Sequence, residues 1–528
     1  MHPITGTGPE TAAKSTTVSG ARAAVAGALA ALVALAAGEL TAAVAGSDVS
    51  LVTAVGSAFI DQFAASLKDV AVAVFGTYDK VALVVGIVVL SCGLAAVLGL
   101  CSRRWRAAAP IGIVVAGIGG AWALASDPQG DATIAAVSGA IAVGAGLCSF
   151  AALWVLAGDG RGAERVVDTQ SAGRAGVPGR RRFLLTAGAL VAAGGGMTLL
   201  ARRVRAGDSV EQARRSTVLP RPERSTPLPT TGSIDVPGLS PYLTPNADFY
   251  RIDTALMTPQ VAAHGWHLSL TGLVDRPFDL TYDELLRMDS VATPVTLSCV
   301  SNEVGGHLIG NAVWQGVPLA ALLDRAGARA DAEQVVGRSV DGFTAGFPLA
   351  DALDGRTSLV AYAINGEPLP AAHGYPARLV VAGLYGYVSA TKWLREIELA
   401  AWDAFDGYWI PRGWSKEGPI RTQSRIDVPS GDVQAGRVTV AGVAWAPGRG
   451  IARVEVQVDD APWQEAALGA VANDETWRTW QLTWNASEGR HRLRVRATDG
   501  SGETQTDAQR PPAPDGATGW HTRAVTVS

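Results

Sequence analysis

Thr296-Leu297-Ser298-Cys299-Val300-Ser301-Asn302-Glu303-Val304-Gly305-Gly306 sets the end of an apolar, β-branched strand against a glycine-rich loop, with one cysteine at the join. The other cysteines, Cys92, Cys101 and Cys148, lie in or beside apolar runs far upstream and show no metal-ligand spacing. Cys299 therefore has no disulfide partner in the polar part of the chain. A thiolate at a strand end can be a soft metal ligand, a nucleophile or a redox sensor. An isolated cysteine can equally be a small buried hydrophobe. The residues by themselves leave these readings open.

Around this loop the chain alternates short strands with short helices. Trp266-His267-Leu268-Ser269-Leu270-Thr271-Gly272 has the period of a strand. Thr281-Tyr282-Asp283-Glu284-Leu285-Leu286 predicts a helix with Thr281 as N-cap and Glu284 completing a capping box. Further strands are expected at 295–297, 335–340 and 378–381, with a helix over 319–326 stopped by Gly327. This mixture predicts an α+β domain over 240–417. Beyond it only strand patterns remain, at 437–440, 451–458, 479–484 and 490–497, separated by turn residues at regular intervals. They predict an all-β, immunoglobulin-like sandwich over 418–528.

Upstream the composition changes. Residues 1–201 are rich in Ala, Val, Leu and Gly and poor in charge, and contain runs long enough to cross ~30 Å of hydrocarbon. Spans are expected at 23–45, 80–100, 107–126, 134–157 and 183–200. The stretch 51–75 is interrupted by Asp61, Gln62, Lys68 and Asp69 and reads as an amphipathic or interfacial helix. Residues 202–239, rich in Arg, Pro, Ser and Thr, read as a tether without a core of its own.

Loop charge orients the spans. Arg103, Arg104 and Arg106 fill one loop, and Arg161, Arg165, Arg174, Arg180, Arg181 and Arg182 fill another, whereas 127–131 has no Lys or Arg. With the basic loops in the cytoplasm, the last span runs outward and the polar part lies on the extracytoplasmic side. Arg202, Arg203, Arg205, Arg214 and Arg215 run against this rule. Gly179-Arg180-Arg181-Arg182-Phe183-Leu184-Leu185 resembles a twin-arginine export signal, here internal, and would equally serve as a plain basic flank. A formal net charge of −4 argues against a nucleic-acid partner. Apart from His2 the first histidine is His264, so no span offers paired haem ligands, and no Cys-x-x-Cys-His occurs. The expectation is that the chain carries no haem.

In chain order, five segments resemble the sulfite oxidase family of molybdenum enzymes. They are Asn246-Ala247-Asp248-Phe249-Tyr250-Arg251, Cys299 with Asn302, Trp314-Gln315-Gly316-Val317-Pro318-Leu319, His373-Gly374-Tyr375-Pro376-Ala377-Arg378-Leu379-Val380-Val381 and Lys392-Trp393-Leu394. The terminal sandwich resembles that family's dimerisation domain, and the membrane-anchored arrangement resembles actinobacterial members.

The resemblance implies a molybdenum cofactor, Mo-molybdopterin, with Cys299 as the protein thiolate on the metal. It implies cofactor contacts from Asn246, Tyr250, Arg251, Asp253, Thr254, Ser339, Asp341, His373, Arg378, Ala390, Thr391 and Lys392. Arg412 and Trp414 would line the substrate mouth. The expected reaction is two-electron oxygen-atom transfer on a small substrate, with a separate cytochrome or quinone-linked electron carrier and a possible homodimer.

Three departures bear on the substrate. Where the family brings arginines to an anionic substrate, this chain has Glu303 and Val304 after the cysteine and Ile252 in the opening segment, and Trp414 stands near the family's tyrosine. Losing a desolvated charge-assisted contact costs ~2–4 kcal/mol. A reductase of methionine sulfoxide or similar S-oxides is therefore an alternative, and a non-catalytic envelope binding protein is a second one.

Overall fold

The computed structural model describes residues 18–62, 79–158, 178–207, 210–230 and 234–528. It divides into two units, Met1–Asp208 and Ser209–Ser528.

The first unit contains five helices long and apolar enough to cross a bilayer, Gly20–Val44, Lys80–Cys101, Ala108–Ser126, Ala132–Gly158 and Arg180–Val204. They coincide with the five expected stretches to within a few residues. Small residues let these helices approach closely: a Cβ on Gly27 would overlap the Ala95 carbonyl, and one on Gly99 the Ala23 carbonyl. Large apolar side chains such as Leu90, Leu94, Ile118, Trp122 and Leu199 point outward and are exposed. Water would penalise such a surface, whereas hydrocarbon would not. Of the stretch 51–75, residues 51–62 are helical; the remainder, with Lys68 and Asp69, lies outside the described residues, as do Arg161, Arg165 and Arg174.

The second unit begins with an α+β region. Its strands are β1 (Arg224–Ser225), β2 (His267–Gly272), β3 (Phe278–Thr281), β4 (Val291–Ser298), β5 (Ile309–Pro318), β6 (Gln334–Ser339), β7 (Thr344–Pro348), β8 (Ser358–Ile364), β9 (Glu367–Pro368), β10 (Arg378–Val381) and β11 (Leu394–Ala400). One sheet runs β1-β4-β5-β8-β10 with β9 beside β8; the other runs β3-β2-β11-β6-β7. β4 and β5 are antiparallel, with Ser298 opposite Ile309, so the Cys299 loop is their hairpin connection. Between β10 and β11 the chain passes from one sheet to the other, and this crossing carries residues 382–393. Helix Tyr282–Arg287 has the expected capping box, Thr281 N donating to Glu284 Oε2 at 2.8 Å. Helix Leu319–Ala326 ends where Gly327 turns left-handed at φ 70°.

The tether expected over 202–239 is not free of the second unit. Val210 is buried in its core, Arg214 donates to Pro368 O at 2.8 Å, and Pro220 O accepts from Gln315 Nε2 at 2.8 Å. β1 then adds in parallel to the open edge of β4. The segment has no hydrophobic period, and backbone pairing at an unprotected sheet edge needs none. Composition alone could not show it.

The remaining strands are β12 (Gln423–Val428), β13 (Gly436–Trp445), β14 (Ile451–Val458), β15 (Gln464–Glu465), β16 (Ala467–Leu468), β17 (Arg478–Ala486), β18 (Gly489–Asp499) and β19 (His521–Val527). They form two four-stranded sheets, β12-β13-β17-β16 and β15-β14-β18-β19. The sheets share a core that includes Val440, Val454, Val456, Trp480, Leu493 and Val495. Alternation along β14 and β18 sends every second residue inward. The sandwich and the α+β region are not independent, because Val443, Trp445 and Trp477 are buried in the same core as Leu384, Tyr385 and Trp314. Trp477 Nε1 also donates to Tyr242 O at 2.8 Å and Thr296 N to Glu475 O at 3.0 Å.

Candidate active site

Cys299 is the first residue after β4, 7% exposed and not in a disulfide. Its N–H donates to Leu308 O at 2.9 Å and closes the loop at its base. Buried Asn302 ties the interior: its N–H donates to Cys299 O at 3.0 Å and its Oδ1 accepts from Leu308 N at 2.8 Å. The thiol therefore sits on backbone fixed from both ends. A soft sulfur so held can bind a metal without a large ordering cost.

The crossing between the sheets and the residues just before it carry a group of buried basic side chains, His373, Arg378 and Lys392. Arg378, the first residue of β10, is 6% exposed. Its guanidinium donates to the carbonyl oxygens of His373 at 3.2 Å, Leu379 at 3.3 Å and Ala390 at 3.4 Å. The face of Trp314 lies 5.1 Å away. Among the described residues no carboxylate pairs with it, and burial pulls its pKa down to about 10. Gly374, at φ 106°, allows this packing, since a Cβ there would come within 3.1 Å of both the Lys392 and Arg378 side chains.

His373 is 6% exposed and meets Phe249 edge-on at 5.7 Å. Burial, followed by the positive charges of Arg378 and Lys392, lowers its pKa to about 4. Lys392, 8% exposed, donates to Asp253 Oδ2 at 2.7 Å and to Ala372 O at 3.2 Å. Burial lowers its pKa to about 8 against the pull of Asp253. Arg251 reaches the same carboxylate oxygen at 2.9 Å from the exposed side, and Thr254 follows half-buried. Asp341 is raised above its ordinary value by burial, with Asp253 as a further cause, and Ser339 Oγ accepts from its N–H at 3.4 Å.

Asn246 is held by Asn365 Nδ2 at 2.8 Å, and Asn365 adopts φ 49° to reach it. Ala390 contributes its carbonyl to Arg378, and Thr391, fully buried, donates to Gly337 O at 3.4 Å. Tyr250 completes the join with the cysteine. Burial raises its phenol pKa, the Cys299 charge adds to that rise and the Arg378 charge opposes it. The structure thus brings Cys299, Tyr250, Arg378, His373, Lys392, Asp253, Asp341, Asn246, Ala390 and Thr391 into one neighbourhood.

Arg412 and Trp414 form an aromatic cluster of their own. Arg412 lies 3.7 Å over the Tyr408 ring and donates to Tyr408 O at 2.6 Å. Trp414 packs on Tyr387 at 5.8 Å and Trp409 at 6.2 Å. Tyr387 links this cluster to the cysteine side, because its neighbour Gly386 faces Ser298 O and the Tyr250 hydroxyl. Glu303 and Ile252, at the positions that depart from the family, are both exposed.

Three participants escaped the sequence reading as site residues. Trp314 is the platform for Arg378, Tyr385 feels the Cys299 charge and has its pKa raised to about 12 mainly by burial, and Arg425 of β12 holds the cysteine loop. Trp314 and Tyr385 read as ordinary core aromatics. Arg425 lies on β12, a strand whose first four residues are all buried, so no alternation marks it out.

The buried neutral imidazole predicts an acid-sensitive fold. Unfolded histidine takes up its proton near pH 6.5, whereas folded His373 resists until about 4. Stability is complete above pH 6.5 and falls as the pH drops toward 4, by up to ~3 kcal/mol for this group. His521, also lowered to about 4, acts in the same direction. Urea midpoints of cofactor-free protein at pH 7.5 and 4.5 should show the loss, and His373→Gln should reduce it. An unchanged pH dependence in the variant would remove His373 as the cause.

Residues 255–409 match the Oxidoreductase molybdopterin binding domain. Mitochondrial sulfite oxidase of Mus musculus is 30% identical over 321 residues, covering 51% of this chain and 58% of that protein. The chain thus spans less than two thirds of the length of this relative. The uncharacterized oxidoreductase YuiH of Bacillus subtilis (strain 168) is 37% identical over 153 residues, covering 29% of this chain and 74% of that protein. Among solved structures, the sulfane dehydrogenase SoxCD of Paracoccus pantotrophus aligns with a TM-score of 0.47 at 23% identity, over 55% of this chain and 82% of that one. With a domain match that covers Cys299, His373, Arg378 and Lys392, and a relative matched over most of its length, the chain belongs to the sulfite oxidase family of molybdopterin-binding oxidoreductases.

Proposed function

We propose that this chain is a membrane-anchored molybdopterin-dependent oxidoreductase that transfers an oxygen atom between water and a small extracytoplasmic substrate. One observation carries the reading: Arg378, a buried guanidinium with no carboxylate partner among the described residues, and Cys299, a buried thiol outside any disulfide, both act on the buried phenol of Tyr250. A cation desolvated in this way is costly unless an anion joins it. The pterin phosphate is such an anion, and the planar fork of Arg suits it. The donor set therefore fits the cofactor. When bound, it supplies a metal able to accept or give two electrons together with an oxygen atom.

The chain's own residues do the rest. Cys299 offers a thiolate from a fixed backbone. Arg378 holds the phosphate, while His373, neutral near pH 7, accepts or donates a hydrogen bond without adding charge. Lys392, anchored by Asp253, keeps one cation close to the pterin; Asp341, Ser339, Asn246, Thr254, Thr391 and the Ala390 backbone are polar contacts around it. Tyr250 stays a phenol at physiological pH and can donate to an anionic neighbour. Arg412 and Trp414 line the approach. Residues 240–417 form the catalytic domain and 418–528 an immunoglobulin-like dimerisation domain, with 1–201 as the anchor and the basic loops in the cytoplasm. Electrons pass to or from a separate cytochrome or quinone-linked carrier.

Mitochondrial relatives named sulfite oxidase make sulfite the first substrate to try. Glu303 and Ile252, both exposed where the family places arginine, favour a second reading on S-oxides in the reductive direction. A non-catalytic envelope role would not explain the burial of Arg378 without a carboxylate partner among the described residues. Purified protein should contain about one molybdenum per chain, and dye-coupled assays in both redox directions should separate sulfite oxidation from S-oxide reduction. Absence of molybdenum from protein expressed with a full cofactor supply would overturn the reading.

A further inference from the structure

The loop that begins at Cys299 is gripped from outside by the sandwich at two consecutive residues. Arg425, on β12, has a side chain only 3% exposed. Its Nη1 donates to Gly306 O at 2.6 Å, its Nη2 to Ser240 Oγ at 2.9 Å and its Nε to Asp427 Oδ1 at 2.6 Å. One residue earlier, Gly305 has φ 79°, and a Cβ there would overlap the His521 ring. That ring is itself fixed, because His521 Nδ1 accepts from Ile426 N at 2.9 Å, beside Arg425 on the same strand. From inside, a Cβ on Gly306 would come within 2.6 Å of Asn302 Oδ1. The two glycines therefore lie in a slot between Asn302 and the sandwich, with no room for a side chain on either.

We propose that Arg425 is a positioning residue for the Cys299 thiolate. By holding the Gly306 carbonyl it fixes the loop that the Cys299–Leu308 and Asn302–Leu308 bonds close, so the sandwich sets the direction in which the sulfur points. This rests on the reading of Cys299 as the metal ligand. Asp427 neutralises the guanidinium, so the contribution of Arg425 is orientation and not charge. Three acceptors in three directions match a planar fork, and an ammonium cannot reproduce that geometry. The sandwich thereby acts on the metal ligand directly, whatever it does in association between chains.

The experiment uses full-length protein in six forms: wild type, R425M, R425K, S240A, L493A and C299S. Leu493 lies in the sandwich core away from the loop and serves as a stability control. Cofactor-free protein is treated with iodoacetamide, and alkylation of the Cys299 peptide is followed by mass spectrometry. Loaded protein is examined by electron paramagnetic resonance of the one-electron-reduced metal. R425M should raise Cys299 alkylation ~10-fold, equivalent to about 1.4 kcal/mol of loop-opening free energy, and shift the g-values. R425K should fall between R425M and wild type. S240A, which removes one acceptor and keeps the ion pair, should raise alkylation ~2-fold and supports the test if R425M fails to fold.

L493A should lower the melting temperature and leave both readouts at wild-type values. If R425M or S240A lowers stability alone, as L493A does, Arg425 is interdomain glue and the proposal fails. If loaded Cys299→Ser protein gives the wild-type spectrum, the ligand reading fails instead, and the alkylation rates still decide whether Arg425 holds the loop.

Discussion

Replacing Cys299 by serine is expected to abolish turnover, by roughly 10³-fold or more, which corresponds to about 4 kcal/mol of barrier. The substitution keeps the size of the side chain and leaves the backbone bonds of the loop in place, including Cys299 N to Leu308 O at 2.9 Å and Asn302 Oδ1 to Leu308 N at 2.8 Å. Unfolding is therefore not the cause to expect. What changes is the donor: a polarisable sulfur becomes a hard hydroxyl that stays protonated near neutral pH, and a soft site loses its protein ligand. Cofactor content should fall much less than activity, because Arg378, Lys392 and the polar contacts that hold the pterin are untouched. The checks are metal analysis, X-ray absorption counting of sulfur neighbours and rate measurement on one preparation. One fewer sulfur with molybdenum retained is the expected result. Wild-type activity in the serine variant would refute the role of this residue.

Much of the fold was legible because it rests on period. The alternation at 451–458 and 490–497 reappears as β14 and β18, and the unbroken apolar runs reappear as long helices, because burial of one face or of all faces leaves its mark on neighbouring residues. Cys299 stood out for a related reason, a thiol at the last residue before a glycine-rich turn. Other features depend on which surfaces meet, and no local pattern records that. Pro220 and β1 pair with the α+β region through backbone atoms that any residue could supply. Trp477 reads as one more sandwich residue, yet it is buried in the core of the preceding domain. The surroundings of Arg378 are also a property of space: Asp253 pairs with Lys392 and Arg251, while the Arg378 guanidinium donates to the carbonyls of His373, Leu379 and Ala390.

Those surroundings lead to an expectation with opposite signs in two preparations. Without cofactor, Arg378 is a desolvated cation held by three carbonyl bonds of 3.2 to 3.4 Å, and burial has already drawn its pKa down to about 10. Methionine fills a similar stem volume against Trp314 and removes the charge. It leaves the His373, Leu379 and Ala390 carbonyls without that donor, but bonds of such length return little of what desolvation costs. Cofactor-free Arg378→Met should therefore be more stable than wild type by about 1 kcal/mol, a rise of a few degrees in melting temperature. With cofactor supplied the order reverses. Wild type gains the binding free energy of a ligand that joins the folded state alone, whereas the variant, lacking the phosphate fork, should bind at least ~10²-fold more weakly and gain little. Arg378→Lys should fall between them, since it keeps a charge and loses the fork. Paired melting curves with and without cofactor, together with pterin and molybdenum content, measure the crossing. A cofactor-free variant several degrees less stable than wild type would mean that the carbonyl bonds outweigh desolvation, and unchanged pterin content would mean that the anion is held elsewhere.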